Sequence, residues 1–299
     1  MKIGLVAGEA SGDLLGAGLI RAIRRQVPDA TFEGIAGPAM LAAGCEQWEP
    51  AESLAVMGLV EPLAHIPRLL RLRKSLARRW RESPPDAFIG IDAPDFNLGL
   101  EKKLRSSGIP TAHYVSPSIW AWRAGRAGKV AKAADVVLCI LPFEAPLYAE
   151  HDIDAVFVGH PKADAAPELV DMAAARRALN LGDGEVVALL PGSRQGEIAQ
   201  LGAILADTAQ RLVTARPGIR FVTPAATPAL RAQIEVQLDA AGVAEHFLLL
   251  DGDAQTAMMA ADLVLLASGT AALEAALLCK PMVAVYRMAK VTACLLYTS

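Results

Sequence analysis

The first thirteen residues, MKIGLVAGEASGD (1–13), indicate the fold class of this chain. Residues 2–7 form a short apolar run typical of a buried strand, and residues 8–13 form a turn with two glycines that leads into a helical pattern. Glycines let the backbone turn tightly and approach a ligand. Because doubly wound sheets bind ligands at the carboxyl ends of their strands, the stretch predicts a β–α unit with a candidate site after its first strand.

The turn after this first strand has two interpretations. It is neither a P-loop nor a G-x-G-x-x-G turn, and its candidate ligand contacts are Gly8, Glu9, Ser11 and Asp13. The alternative is a tight turn in which Ser11 or Asp13 caps the following helix.

Short apolar runs alternate with helical patterns along the rest of the chain. Several runs are apolar throughout, as parallel strands covered on both faces are, and segments such as 198–215 carry apolar residues at helical spacing. The predicted strands are 2–7, 87–91, 111–115, 136–140, 155–158, 186–190, 220–223, 247–250, 263–267 and 282–286. The pattern predicts an α/β protein with two Rossmann-like doubly wound domains, residues 1–160 and 170–293, that face each other across a cleft.

Length, composition and charge narrow the function classes. The 299 residues suit two domains. A net charge of −3 and an aromatic content of 5% argue against a nucleic-acid partner. Residue 1 leads directly into a strand, and no apolar run has the length of a membrane span, so we expect a cytoplasmic protein.

The C-terminal end departs from the β–α pattern. The pattern stops near residue 288 without a final helix, and residues 294–299 read CLLYTS. We interpret this segment as a non-native tail encoded by a sequencing adapter, and we expect the natural protein to continue beyond it. A genuine short tail is the alternative.

The motif GIDAPDFN (90–97) places two carboxylates and an amide at the end of an apolar strand. A carboxylate at that position can act as a general base on a hydroxyl group, and we favour Asp92 for this role. For Asp95, which precedes a helical pattern and follows Pro94, we favour helix capping. Asn97 is a further candidate contact.

The motif YVSPSIWAW (114–122) concentrates aromatic residues in a chain that has few of them. Aromatic faces can pack against sugar rings or acyl chains, so Ser116 and Trp120 are candidate contacts, with packing in the core as the alternative. The neighbouring His113 is interpreted as a core residue. His160, in GHP (159–161), is a further candidate contact, with an interdomain turn as the alternative.

Two loops in the second half of the chain have features of phosphate sites. In LPGSR (190–194), Gly192 frees the backbone beside Ser193, and the Arg194 guanidinium matches phosphate oxygens. In SGTAALE (268–274), Ser268, Gly269 and Thr270 precede a helix whose first amides are exposed, and Glu274 lies one turn later. The alternatives are a plain β–α turn and a capping arrangement. Residues 251–253, Asp-Gly-Asp, are interpreted as a turn rather than a metal site.

Residues 67–81 predict an amphipathic helix with a basic face. Leu69 and Leu72 belong to its apolar stripe, and Arg71, Lys74 and Arg78 are among its basic residues. This combination suits an anionic membrane surface. The alternative is a helix packed on the sheet with a solvated basic face.

Together these motifs resemble one family. GEASGD, GIDAPDFN, YVSPSIWAW, GHP, LPGSR and SGTAALE occur in the order seen in lipid-A-disaccharide synthases, and the likeness runs from residue 1 to about 288. The resemblance implies a GT-B-like arrangement and an inverting glycosyltransferase that joins UDP-2,3-diacylglucosamine to 2,3-diacylglucosamine 1-phosphate, releasing UDP. It also implies work at the cytoplasmic face of the inner membrane, a homodimeric parent protein, and no metal or cofactor.

The resemblance also implies roles for the singled-out residues. Asp92 and Arg194 match the family's essential aspartate and arginine, as base on the acceptor hydroxyl and as counter-charge to the departing UDP. The donor side is expected to comprise Gly192, Ser193, Arg194, Ser268, Gly269, Thr270 and Glu274. The acceptor and lipid side is expected to comprise Gly8, Glu9, Ser11, Asp13, Asp95, Asn97, Ser116, Trp120 and His160. The family's carboxy-terminal segment is not found in this sequence, and the resemblance implies that this polypeptide is inactive without it. A UDP-sugar epimerase and a membrane-surface binding module remain as alternatives.

Overall fold

A computed structural model describes residues 1–54, 61–119 and 126–287, with residues 61–65 described as helix backbone only. The chain divides into two compact units, Met1–Pro161 and Lys162–Ser299. They are called the N-terminal unit and the C-terminal unit below, and each is described by itself.

The described part of the N-terminal unit is a parallel sheet covered by helices. Its strands are β1 (Lys2–Ala7), β2 (Thr31–Ala36), β3 (Cys45–Pro50), β4 (Ala87–Ile91), β5 (Thr111–Tyr114), β6 (Val136–Cys139) and β7 (Asp154–Phe157). Its helices are α1 (Ala10–Gln26), α2 (Pro38–Ala42), α3 (Glu61–Glu82), α4 (Pro94–Arg105) and α5 (Ala127–Ala131), with 3₁₀ turns at Ala51–Ser53 and Ala145–Tyr148.

The strand order of this sheet is β3-β2-β1-β4-β5-β6-β7, and all of its pairings are parallel. The chain runs outward from β1 in one direction, returns, and runs outward from β4 in the other. The order therefore reverses between β1 and β4, which is the switch point where doubly wound sheets bind ligands.

Two strands were missed by the sequence prediction. β2 contains Glu33 and Gly34, which interrupt its apolar run, and β3 reads CEQWEP because it lies at the edge of the sheet. Gly34 has a φ of +143°, and a side chain there would collide with the backbone oxygen of Leu5. Edge strands do not need the apolar composition on which the prediction depended.

The basic helix α3 is longer than predicted, because Pro67 lies inside it rather than at its start. Its apolar stripe packs on the sheet: Leu69 and Leu72 are partly buried against a cluster that contains the fully buried Trp80. The Trp80 indole also donates a hydrogen bond to Glu33 at 3.0 Å. Leu69 and Leu72 thus follow the packed alternative of the sequence analysis, with part of each side chain still accessible.

The basic residues of α3 are arranged as the sequence indicated. Arg71, Lys74 and Arg78 are all exposed to solvent. The stripe follows the packed alternative of the sequence analysis, and the exposed face carries the positive charge.

The described part of the C-terminal unit is a second, smaller parallel sheet. Its strands are β8 (Val186–Leu190), β9 (Arg220–Ala225), β10 (Phe247–Asp251), β11 (Leu263–Ala267) and β12 (Met282–Val285). Its helices are α6 (Pro161–Asp164), α7 (Met172–Ala178), α8 (Gln195–Ala215), α9 (Pro228–Ala240), α10 (Ala254–Ala260) and α11 (Thr270–Leu277), with a 3₁₀ turn at Ala244–His246.

The order of this sheet is β10-β9-β8-β11-β12, again parallel throughout. Every residue of β8 is buried, as a central strand with helices on both faces requires. The switch point lies between β8 and β11. The predicted fold class, two Rossmann-like parallel α/β domains, is confirmed.

Within the described ranges, no helix combines the length and the apolar character that a membrane crossing would require.

Candidate active site

The switch point of the N-terminal unit brings two predicted motifs together. Ile91, the last residue of β4, pairs with Ala7, the last residue of β1. The turns that follow are in contact, since a Cβ placed on Gly8 would lie 3.0 Å from the Cβ of Ala93. The Gly8 turn and the Asp92 turn therefore form one surface at the carboxyl edge of the sheet.

Asp92 lies in an unusual backbone turn. Asp92 and Ala93 have φ angles of +52° and +44°. Aspartate tolerates this region, but for alanine it costs about 1–3 kcal/mol, and such residues are concentrated at functional sites. The Asp92 amide is held by a 2.8 Å hydrogen bond to the carbonyl oxygen of Tyr114.

Asn97 holds this turn from below. Its side chain is fully buried, and its Nδ2 donates to the carbonyl oxygens of Val6, Ile91 and Asp92, the last at 2.8 Å. The predicted contact of Asn97 with the acceptor was therefore wrong, because the side chain joins β1 and β4 beneath the turn.

Asp95 does not cap a helix, contrary to our expectation. Helix α4 begins at Pro94 with Ala93 as its N-cap, and no side chain caps it. Asp95 lies within the first turn, where its exposed carboxylate is 3.3 Å from Nη2 of Arg126. A carboxylate in the first turn still favours the helix through the dipole.

Asp13 has a structural role that the sequence analysis did not predict. The carboxylate is buried and accepts hydrogen bonds from the backbone amides of Gly37, Ala39 and Met40 at 2.8–2.9 Å. Neither Ser11 nor Asp13 caps α1, whose N-cap is Glu9 without a side-chain bond. The predicted acceptor contact of Asp13 was wrong, because its oxygens bind the start of α2.

A cavity of about 400 Å³ opens beside Asp92. Its lining consists of Asp92, Pro94, Val115, Ser116, Pro117, Ser118 and Arg126. Val115 has a φ of +81°, which is a genuine outlier for a β-branched residue. The structure thus brings the predicted Asp92 and Ser116 together with Arg126, a residue that no sequence signal distinguished from neighbouring basic residues.

The other acceptor-side candidates are distributed as follows. The Ser116 hydroxyl is buried and lies 2.9 Å from the Tyr148 hydroxyl. Glu9 is exposed and Ser11 is half-buried at the start of α1. His160 is half-buried and is not among the described residues that line the cavity. Trp120 lies outside the described residues.

A buried acid–histidine pair lies under the same strands. Nδ1 of His113 is 2.7 Å from Oε1 of Glu101, and both side chains are inaccessible to solvent. A side chain on Gly90 would collide with that carboxylate, so the pair requires a glycine in β4. Burial raises the pKa of Glu101, and the interaction with His113 opposes this. The interpretation of His113 as a core residue is confirmed.

The switch point of the C-terminal unit brings the other two loops together. Leu190 at the end of β8 pairs with Leu266 of β11, so the LPGSR loop and the SGT loop leave the sheet side by side. Gly192 has a φ of +125°, a backbone conformation that would be strained in a residue with a side chain. This loop and the start of α8 therefore lie at the carboxyl ends of the strands.

Glu197 occupies the LPGSR loop, a feature that sequence reasoning missed. Its Oε2 accepts hydrogen bonds from the amides of Ser193 at 3.0 Å and Arg194 at 3.3 Å. Its Oε1 lies 3.2 Å from Nη1 of Arg194, whose side chain is about half exposed. Glutamate at the third position of a helix is a known partner of the N-cap residue, and this spacing was the available signal.

The SGT loop begins α11 without a side-chain cap. Gly269 is the N-cap, and Ser268, Gly269 and Thr270 are exposed. The capping alternative for Ser268 or Thr270 was therefore wrong. Glu274 forms an ion pair with Lys162, and partial burial lowers the pKa of Lys162.

Asp253, by contrast, does cap a helix. It is the N-cap of α10, and its carboxylate accepts from the amide of Thr256 at 3.1 Å. Residues 251–253 thus form the predicted turn at the start of a helix. In the described ranges, no group of three or more metal-ligating side chains is present.

Comparison with known proteins identifies the family. Residues 3–297 match the family model described as lipid-A-disaccharide synthetase. The chain is 54% identical over 293 residues to a lipid-A-disaccharide synthase of Pseudomonas aeruginosa, covering 98% of this chain and 77% of that one. It is 52% identical over 295 residues to a lipid-A-disaccharide synthase of Alkalilimnicola ehrlichii, again covering 98% and 77%.

A solved structure shares the fold at low identity. The UDP-GlcNAc 2-epimerase of Neisseria meningitidis bound to UDP-GlcNAc is similar with a TM-score of 0.64 and 14% identity, covering 99% of this chain and 85% of that one. At this identity the likeness shows the fold alone. The family match and the identities above cover nearly the whole chain, and the chain therefore belongs to the lipid-A-disaccharide synthetase family.

Proposed function

We propose that this protein is an inverting glycosyltransferase of lipid A biosynthesis. It transfers 2,3-diacylglucosamine from its UDP conjugate to the 6-hydroxyl of 2,3-diacylglucosamine 1-phosphate, giving a β-1,6-linked disaccharide and UDP. The observation that carries the proposal is an identity of 52–54% to lipid-A-disaccharide synthases over 98% of the chain.

Asp92 is the proposed general base. Its turn is anchored by Tyr114 and Asn97, and the residue lines the 400 Å³ cavity. A carboxylate there removes the proton of the acceptor hydroxyl as the oxygen attacks the anomeric carbon of the donor. A positioned base of this kind typically contributes about 10²–10⁴-fold to the rate. A single displacement inverts the anomeric centre.

The LPGSR and SGT loops form the proposed donor site. The guanidinium of Arg194 stabilises the negative charge that develops on the departing UDP, and the loop amide of Ser193 adds to this when Glu197 releases it. The first turns of α8 and α11 add the positive ends of two helix dipoles. Glu274 accepts hydrogen bonds from the ribose hydroxyls, with Lys162 holding its carboxylate.

The exposed basic face of α3 is the proposed membrane contact. Arg71, Lys74 and Arg78 are exposed and attract anionic lipids at the inner face of the inner membrane. Since Leu69 and Leu72 pack against the core, the basic residues supply most of this contact, which therefore weakens as the salt concentration rises.

The test is a product assay on this protein. The purified protein is incubated with both acylated glucosamine substrates, and the disaccharide is detected by mass spectrometry. Asp92→Asn should abolish product, while the matched control Asp29→Asn, an exposed aspartate of the same unit, should retain it. A folded protein without substitutions that binds UDP but yields no disaccharide would contradict the proposal and favour an epimerase or a binding module.

A further inference from the structure

We propose that Arg126 binds the phosphate group of the acceptor sugar in the cavity beside Asp92, and that it thereby selects a phosphorylated acceptor. This inference rests on the proposed function and assigns a subsite within it.

The chemistry of the cavity singles out Arg126. Among the described residues that line it, Asp92 is the acid and Arg126 carries the positive charge. The Ser116 hydroxyl is already hydrogen-bonded to Tyr148. A guanidinium presents several N–H donors in a planar fork that matches two phosphate oxygens at once. Arg126 is therefore the cavity residue best suited to bind a phosphate.

The ion pair between Arg126 and Asp95 is weak enough for Arg126 to bind a phosphate as well. Its Nη2 lies 3.3 Å from Oδ1 of Asp95, and the Asp95 side chain is 91% exposed whereas that of Arg126 is 25% exposed. Ion pairs with one partner in water are weak. A guanidinium has enough donors to keep Asp95 and accept a phosphate as well. Asp95 thus orients the guanidinium at the cavity without occupying it.

Electrostatics require a cation at this place. A phosphate monoester carries a charge of about −1.5 to −2 near neutral pH, and Asp92 and Asp95 add two carboxylates to the same region. Without a positive group, the acceptor would be repelled from the base that must activate it. Arg126 offsets this repulsion.

The shape of the acceptor places its two functional groups in one cavity. The reacting 6-hydroxyl and the 1-phosphate are carried by the same pyranose ring, so a ring whose hydroxyl lies at Asp92 has its phosphate close by. Asp92 and Arg126 line the same cavity of about 400 Å³. The strained Val115 between their elements indicates a wall that is maintained for function rather than for stability.

The experiment compares two acceptors, 2,3-diacylglucosamine 1-phosphate and the same sugar without its phosphate. For Arg126→Gln we expect the KM of the phosphorylated acceptor to rise about ten- to hundredfold, as for the loss of hydrogen bonds to a charged group. The KM of the unphosphorylated acceptor should stay unchanged. Arg126→Lys, which keeps the charge but loses the fork, should restore part of the difference.

The matched control is Lys129→Gln, which removes an exposed cation from the adjacent helix α5. It should leave both KM values unchanged. Equal losses with both acceptors in Arg126→Gln, or no change with either, would overturn the inference while the proposed reaction stands.

A binding titration separates the inference from the reaction. Calorimetry with each acceptor in the absence of donor reports the subsite without turnover. One outcome is that the protein without substitutions forms no disaccharide while Arg126→Gln weakens binding of the phosphorylated acceptor and not of the unphosphorylated one. In that case the proposed reaction fails and the subsite holds. If binding of neither acceptor responds to the substitution, the subsite fails.

Discussion

Replacing Asp13 should destabilise the N-terminal unit although the residue lies beside the candidate active site. Its two oxygens bind three amides of a segment that lies 24–27 positions further along the chain. Gly37 is shaped to this arrangement, since a Cβ there would lie 2.5 Å from the Asp13 carboxyl carbon. The carboxylate thus joins the start of α1 to the start of α2.

The magnitude follows from the number of amides left without a partner. Asp13→Ala removes the acceptor of three amides, two of them in buried bonds, and each buried amide without a partner costs about 1–3 kcal/mol. We therefore expect a loss of about 2–6 kcal/mol in the free energy of unfolding from the two buried amides. Asp13→Asn keeps one oxygen and should lose about 2 kcal/mol. A domain with a total stability of about 5–15 kcal/mol would be severely affected by the first change.

Tryptophan fluorescence during urea unfolding measures this loss. All four tryptophans lie in the N-terminal unit, and Trp80 is fully buried, so the signal reports this unit. Asp29→Asn, an exposed aspartate after α1, is the control for the loss of a charge. If Asp13→Ala unfolded at the same urea concentration as Asp29→Asn, the assignment of Asp13 as a structural residue would be refuted.

Three further predictions concern other described contacts. Burial raises the pKa of Glu101 above 4.5, so the folded state holds this proton more tightly than the unfolded state does. The free energy of unfolding should therefore fall as the pH rises from 4.5 through the raised pKa. In urea unfolding, Glu101→Gln should show a weaker pH dependence than the unchanged protein, and an equal dependence would contradict the assignment. Calorimetry should show that Glu197→Gln binds UDP several-fold more tightly, because the substitution removes the negative charge that competes with UDP for the loop amides. Binding of uridine should stay the same. Weaker binding of UDP would show that Glu197 only positions the loop. Gly34→Ala should prevent soluble expression because its Cβ meets the backbone of Leu5, whereas Gly18→Ala, with open space in α1, should fold normally; equal yields would refute the clash.

Local sequence was sufficient for the central strands. The observed bounds of β1, β4, β8 and β11 are those predicted from their apolar runs. A strand covered by helices on both faces is apolar at nearly every position, so its composition reveals it. These strands flank the two switch points, and the loops that follow them were therefore found in advance.

Local sequence failed where solvent or a distant segment set the outcome. β3 lies at a sheet edge and was missed because an edge strand tolerates polar residues. The stripe of Leu69 and Leu72 has the same pattern whether it faces a membrane or a sheet. Only the packing of α3 against Trp80 distinguished the two.

The roles of the polar residues depended on partners far along the chain. Asp13, Asp95 and Asn97 share with Asp92 the residue types expected of a site, and the local pattern assigned Asp95 a capping role that it does not have. Asn97 binds the carbonyl oxygen of Val6, 91 positions away, and Asp95 contacts Arg126, 31 positions away. The sequence on its own determined the fold class and the edges of the sheets where ligands bind. Only the tertiary structure decided which polar side chains at those edges are structural and which line the candidate site, because hydrogen bonds form between groups that are close in space.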